Sequence, residues 1–225
     1  LDQLPDAKAK KCTLIMHTDP VDDNGTDLPR VVENFCDSRH KVIFTNKKFP
    51  EKELNYLYNL SDCHMFMTDN EGWGLGLTES LTAGKMIIAP VQGGMQDQMR
   101  FEEWVMPIFP KTRSVKGSPL TPYIFASQCS VEDAAIALMK TYKMGKEERQ
   151  RRGIKGREWV TSDESRFTST NMGINFVENL DVLFDKWEPQ PRFHLVKVDD
   201  STILDNHNPN PISTTDEFKK EIAAI

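Results

Sequence analysis

Asp69-Asn70-Glu71-Gly72-Trp73-Gly74-Leu75-Gly76-Leu77-Thr78-Glu79 is the stretch from which the fold of this chain is read. It follows a short apolar run, Cys63-His64-Met65-Phe66-Met67, with the character of a buried strand. It leads into a helix-compatible segment ending at Ala83-Gly84, then a second apolar run, Met86-Ile87-Ile88-Ala89-Pro90, and the pair Gly93-Gly94. Strand, glycine-rich turn, helix and strand make one parallel crossover unit. The expectation is an α/β chain with a Rossmann-like parallel sheet flanked by helices.

In open sheets of this kind, ligands bind at the carboxyl ends of the strands. Gly72, Gly74 and Gly76 permit close backbone approach, so N–H groups in the turn can point at an anion. The start of the following helix adds unpaired N–H donors and the positive end of a macrodipole. A phosphate is therefore expected near Gly74 to Gly76. Glu71 and Glu79 bracket the turn, and a diphosphate repels carboxylates, so each is expected to meet hydroxyl groups, of a sugar on one side and a ribose on the other. The same residues also fit a solvated acidic loop with Glu79 on an exposed helix face, and spacing alone does not separate the two.

Glu71-Gly72-Trp73-Gly74-Leu75…Glu79, then Ala83-Gly84-Lys85-Met86-Ile87-Ile88-Ala89, then Gly93-Gly94, resembles the donor-binding signature of family 4 glycosyltransferases. That signature is a Glu, seven residues and a second Glu, with an aromatic-Gly pair inside and "AGxPVIA…GG" beyond. Leu54…Leu57-Tyr58…Ser61-Asp62 also fits the family's "LxxLYxxAD" stretch, its aromatics read as core. The resemblance covers roughly residues 11–187. It implies the GT-B architecture of two Rossmann-like domains, with this chain as the C-terminal, donor-binding one and an N-terminal partner domain completing the cleft. It further implies a glycosyltransferase of the hexosyltransferase kind, moving a sugar from a GDP- or UDP-sugar to a glycan, lipid or protein acceptor. Retention of configuration and no required cofactor or metal come with it.

By the same resemblance Glu71 is the catalytic residue, and Gly72, Trp73, Gly74, Leu75, Gly76, Glu79, Gly93 and Gly94 bind the donor. Asn46 and Lys47, in the loop after the second strand, are implied as contacts to the base; a plain surface turn fits them equally well. A structural turn with a helix cap at Asp97 likewise fits Gly93-Gly94, and the family usually has Glu at or beside Asp97. The family's Arg and Lys that clamp the diphosphate are expected upstream, since Lys8, Lys10 and Lys11 do not lie in that context. Two rivals stay open: a non-catalytic nucleotide- or partner-binding module, and a nucleotide-sugar epimerase on the same fold.

The 225 residues are 38% hydrophobic and 28% charged, ordinary globular composition with enough length for one core. A formal net charge of −6, with no basic stripe interleaved with aromatics, argues against a nucleic-acid surface. No apolar run approaches the about 20 residues that span a bilayer. Cys12, Cys36, Cys63 and Cys129 lack metal-ligand spacing, His17 and His64 stand alone, and a reducing cytoplasm is the expected setting. The opening Leu1-Asp2-Gln3-Leu4-Pro5 has no Met, signal core or targeting pattern and reads as the interior of a larger chain.

Along the chain, residues 1–10 read as a linker or the end of a helix, 11–187 as the Rossmann-like domain and 188–225 as a partly mobile extension. Strands are expected at Cys12–Met16 and Lys41–Thr45. Helices are expected at about 28–38, with Leu28, Val31, Val32 and Phe35 on one face, and from Pro50 to Leu60, with Leu54, Leu57, Tyr58 and Leu60 on one face. Further helices are expected from Ser130 to Tyr142, at about 146–160 and at about 165–187. Residues 101–130 hold several prolines and yield no assignable strands, so an insertion with a lid or partner role is expected there.

Overall fold

The computed structural model describes residues 4–22, 25–37, 39–101, 103–118 and 120–189. The alternating run at 193–198, the turn-rich stretch at 206–211 and the short helix expected near the C-terminus lie outside the described residues. The chain divides into two compact units, Leu1–Met172 and Gly173–Ile225.

The first unit runs α1 (Asp6–Ala9), β1 (Thr13–His17), α2 (Leu28–Phe35), β2 (Lys41–Thr45), α3 (Glu51–Leu60), β3 (Cys63–Met65), α4 (Leu75–Thr82) and β4 (Met86–Pro90). A 3-10 helix at Gly93–Gln98, β5 (Val105–Ile108), β6 (Thr112–Ser118), β7 (Thr121–Gln128), α5 (Val131–Lys143) and α6 (Gly145–Val160) follow. The start of α7 (Ser169–Lys186) completes it, and the rest of α7 belongs to the second unit.

Local chemistry explains the helix starts. Asp27 caps α2 by accepting from the Arg30 amide at 3.0 Å, with Pro29 in the first turn, where its missing N–H costs nothing. Ser130 caps α5 through the Asp133 amide at 3.1 Å. Pro50 precedes α3, whose first turn carries Glu51 and Glu53 at the positive end of the dipole.

β1 pairs in parallel with β2, and β3, β4 and β5 form a separate parallel sheet in that order. β4 is buried along its whole length, and its pleat divides the core. Ile87 and Ala89 point to one face, packing with Leu77 and Leu81 of α4, Trp104, Val105, and Trp159 and Val160 of α6. Met86 and Ile88 point to the other, against Met106, Ile108, and Ala134 and Ala137 of α5. Each fully buried Leu or Ile in this core contributes about 1.5–3 kcal/mol relative to exposure. Helices therefore cover both faces of the β3–β5 sheet, and its carboxyl edge carries the Glu71 turn.

Some expected faces are wetter than their periodicity implies. Phe35 is 83% exposed and Leu60 73% exposed, although both extend apolar stripes of their helices. Each is the last residue of its helix. Residues 105–128, which showed no usable period, form β5 and an antiparallel β6–β7 hairpin. A register shift between Lys116 and Ser118 breaks the alternation on which a sequence reading depends. Among the described residues no helix is long and apolar enough to cross a membrane.

Candidate functional site

The Glu71 turn leaves β3 and enters α4 through Gly74, which sits in the left-handed region at φ +84. Glycine takes this conformation without the Cβ penalty that other residues carry. Gly74 O accepts from the amides of Leu77 at 2.9 Å and Thr78 at 3.3 Å. The amides of Leu75 and Gly76 precede them, have no side-chain cap and find no acceptor among the described residues. They are the open donors of the helix start.

The two glycine-bearing stretches meet. Gly94 N–H donates to Gly72 O at 2.9 Å. A Cβ at Gly93 would strike the Glu71 carbonyl, and one at Gly94 would strike the Gly72 carbonyl. Gly93 also stands at φ +52. Backbone thus lies against backbone, and the bare faces of Gly93 and Gly94 are spent on the Glu71 loop. Asp97 is exposed on the 3-10 helix that follows.

Trp73 is half-buried and tied into the scaffold. Its Nε1 donates to Thr78 Oγ1 at 3.0 Å, Thr78 Oγ1 donates to Gln98 Oε1 at 2.6 Å, and Gln98 Nε2 donates back to Trp73 O at 2.6 Å. Gln98 is fully buried, and its own carbonyl accepts from Trp104 Nε1 at 3.1 Å. The Trp73 ring packs edge-on against Phe167 with centroids 4.9 Å apart; Phe167 in turn packs edge-on against Trp159. Gln98 and Thr78 were not singled out in the sequence, because a buried glutamine has no periodic signature.

Glu79 is exposed and accepts from the Tyr58 hydroxyl at 2.6 Å. Burial, reinforced by the bond to the Glu79 carboxylate and its charge, pushes the Tyr58 phenol well above its ordinary range. Tyr58 was assigned to the core by its helical position, yet it is the direct partner of a candidate site acid. Beneath it, His64 Nδ1 meets Ser80 Oγ, and Ser80 donates to Gly76 O at 2.8 Å. A hydroxyl has one hydrogen, so Nδ1 of His64 carries the proton and donates to Ser80. Burial holds the His64 pKa below its usual value, against the Gly76 carbonyl and the Glu79 charge.

The Glu71 carboxylate makes no hydrogen bond or ion pair among the described residues, so it is free to meet a ligand. Leu75 is 71% exposed at the start of α4. Asn46 and Lys47 are exposed just past β2, and no bond or ring contact joins them to the Glu71 turn among the described residues. Beside them His17 stacks on Phe49 with centroids 4.9 Å apart and pairs with Thr45 Oγ1 at 2.9 Å. No group of His, Cys, Asp and Glu among the described residues is arranged to hold a metal ion. The four cysteines are unpaired thiols.

No family model matches this chain, and no curated protein matches it in sequence. Solved structures do match in fold. Sucrose-phosphate synthase from Thermosynechococcus elongatus superposes with a TM-score of 0.53 at 20% identity, over 77% of this chain and 38% of that one. HepE from Anabaena, solved in complex with UDP-glucose, gives a TM-score of 0.52 at 14% identity, over 79% of this chain and 44% of that one. The chain spans less than half the length of either. Its parallel sheets flanked by helices are the α/β fold found in these two glycosyltransferases.

Proposed function

We propose that this chain is the donor-binding half of a GT-B glycosyltransferase of the family 4 type, taking a UDP- or GDP-sugar and passing the sugar to an acceptor with retention. The observation that carries the reading is the direct contact of Glu71-Gly72 with Gly93-Gly94 beside the open amides of α4. Two stretches of the donor signature, separate in sequence, make one surface there. The likeness to glycosyltransferases, one of them holding UDP-glucose, supports it.

In this reading the amides of Leu75 and Gly76 face the departing diphosphate and stabilise its charge as the glycosidic bond breaks. Glu71, whose carboxylate has no protein partner, holds hydroxyls of the donor sugar and faces the positive charge that develops on the ring. Glu79 accepts from ribose hydroxyls with the oxygen that Tyr58 leaves free. Trp73 meets the donor from a fixed position, its indole N–H bonded to Thr78 and its carbonyl to Gln98. Asn46 and Lys47 stay base contacts only as far as the family pattern carries them. The acceptor, a glycan, lipid or protein, and the domain that binds it complete the cleft.

Calorimetric titration with UDP-glucose and GDP-mannose tests this. One nucleotide series binds, and Glu79→Ala weakens it while Glu71→Ala removes turnover in the full chain. Indifference to both nucleotides overturns the reading. Conversion of donor without any acceptor would point to an epimerase instead.

A further inference from the structure

We infer that the β6–β7 hairpin is a positioning element for Glu71, acting through Lys116 and the Ser127 amide on Asp69; the inference rests on the role given to Glu71 above. The turn that carries Glu71 is held from outside at four carbonyls, those of Thr68, Asp69, Gly72 and Trp73. Thr68 O accepts from Gln92 Nε2 at 2.6 Å, Gly72 O from Gly94 N at 2.9 Å and Trp73 O from Gln98 Nε2 at 2.6 Å. These restraints all come from the segment after β4. The hairpin supplies the remaining two, both on Asp69: Ser127 N–H donates to Asp69 O at 2.8 Å, and Lys116 Nζ pairs with Asp69 Oδ2 at 2.6 Å.

Asp69 lies two residues before Glu71. With no partner of its own, the Glu71 carboxylate is placed by its backbone, which the bonds at Asp69 before it and at Gly72 after it hold from two sides. The hairpin is built for this contact. Opposed residues share a face, and the pair Ser114–Ala126 turns inward, Ala126 being 2% exposed, while Val115 and Phe125 on the other face are 58% and 52% exposed. Lys116 shares the inward parity, and the register break that follows it at Gly117, φ +151, re-aims the strand next to the lysine. A small displacement of a carboxylate from a developing charge costs rate more than it costs ground-state binding.

Lys116→Met keeps the aliphatic stem and removes the charge. An ion pair this exposed contributes little to global stability, so the variant folds. In the full chain with UDP-glucose or GDP-mannose as donor, whichever binds, Lys116→Met lowers kcat by about tenfold and leaves donor KM within about twofold, and Lys116→Arg restores most of the loss. In a Glu71→Gln background Lys116→Met adds no further loss, because it acts through Glu71. Independently of turnover, amide hydrogen exchange at Ser127 and Gly94 quickens by about tenfold in Lys116→Met, while Ile87 in β4 is unchanged. Unchanged exchange at Ser127 and Gly94, or an additive loss in the Glu71→Gln background, overturns the positioning role even with donor binding intact. A wild-type chain that binds neither donor overturns the role of Glu71 instead, whatever the exchange shows.

Discussion

The hydroxyl of Tyr58 on α3 donates to Glu79 Oε2 on α4 at 2.6 Å, joining two helices that sequence reading assigned to unrelated duties. A hydrogen bond to a charged group contributes more than a neutral one, and partial exposure reduces it, so about 1 kcal/mol is expected here. Tyr58→Phe therefore weakens nucleotide-sugar binding roughly fivefold and lowers stability by a similar amount. Calorimetry and denaturant unfolding check the two effects; an unchanged Kd would remove Glu79 from the donor site.

The same bond has a pH signature at the alkaline end. Tyr58 has its pKa raised in the folded state, so the stability it contributes is fully present below the unfolded value near 10 and is lost as pH rises above it. Ultraviolet titration of the four tyrosines has one phenol ionising last, and Tyr58→Phe removes that step.

His64 acts at the acid end. Burial depresses its folded pKa, so the unfolded chain binds the proton first and stability falls as pH drops below about 6.5. Thermal melts between pH 8 and 5 show this slope in the wild type. His64→Gln flattens it.

Gly93 and Gly74 both hold positive φ but differ in what a methyl group meets. At Gly93 the added Cβ strikes the Glu71 carbonyl, which is backbone, whereas at Gly74 it meets Met95 Cγ at 2.7 Å, the flexible part of a side chain. Gly93→Ala is thus the costlier change, about 3 kcal/mol against about 1 kcal/mol for Gly74→Ala. Comparative unfolding measures the order, and the reverse order would mean that the two backbones do not touch in solution.

Gln98→Leu strands the Trp73 carbonyl and the Thr78 hydroxyl, the two groups bonded to the Gln98 amide, while the bond from the Trp104 indole to the backbone carbonyl of residue 98 is kept. A loss of about 2–4 kcal/mol is expected, read as a lowered Tm with a fluorescence change from Trp73.

Much of this molecule is written in short-range pattern. Lys41–Thr45 is a strand with the expected bounds, Pro50 opens α3, and Asp27 and Ser130 cap their helices, because alternation, proline geometry and side-chain caps act within a few residues. The turn around Glu71 belongs to the same class, since its glycines and the helix after it are adjacent in the chain. Other features have no local signature. Gly93 lying on the Glu71 carbonyl, Tyr58 reaching Glu79, Gln98 closing on Trp73 and Lys116 holding Asp69 all join residues that only folding brings together, and such pairings between separate segments carry no period. Glycine at position 93 can be read from the chain; the carbonyl that forbids anything larger there exists only once β3 and β4 lie side by side.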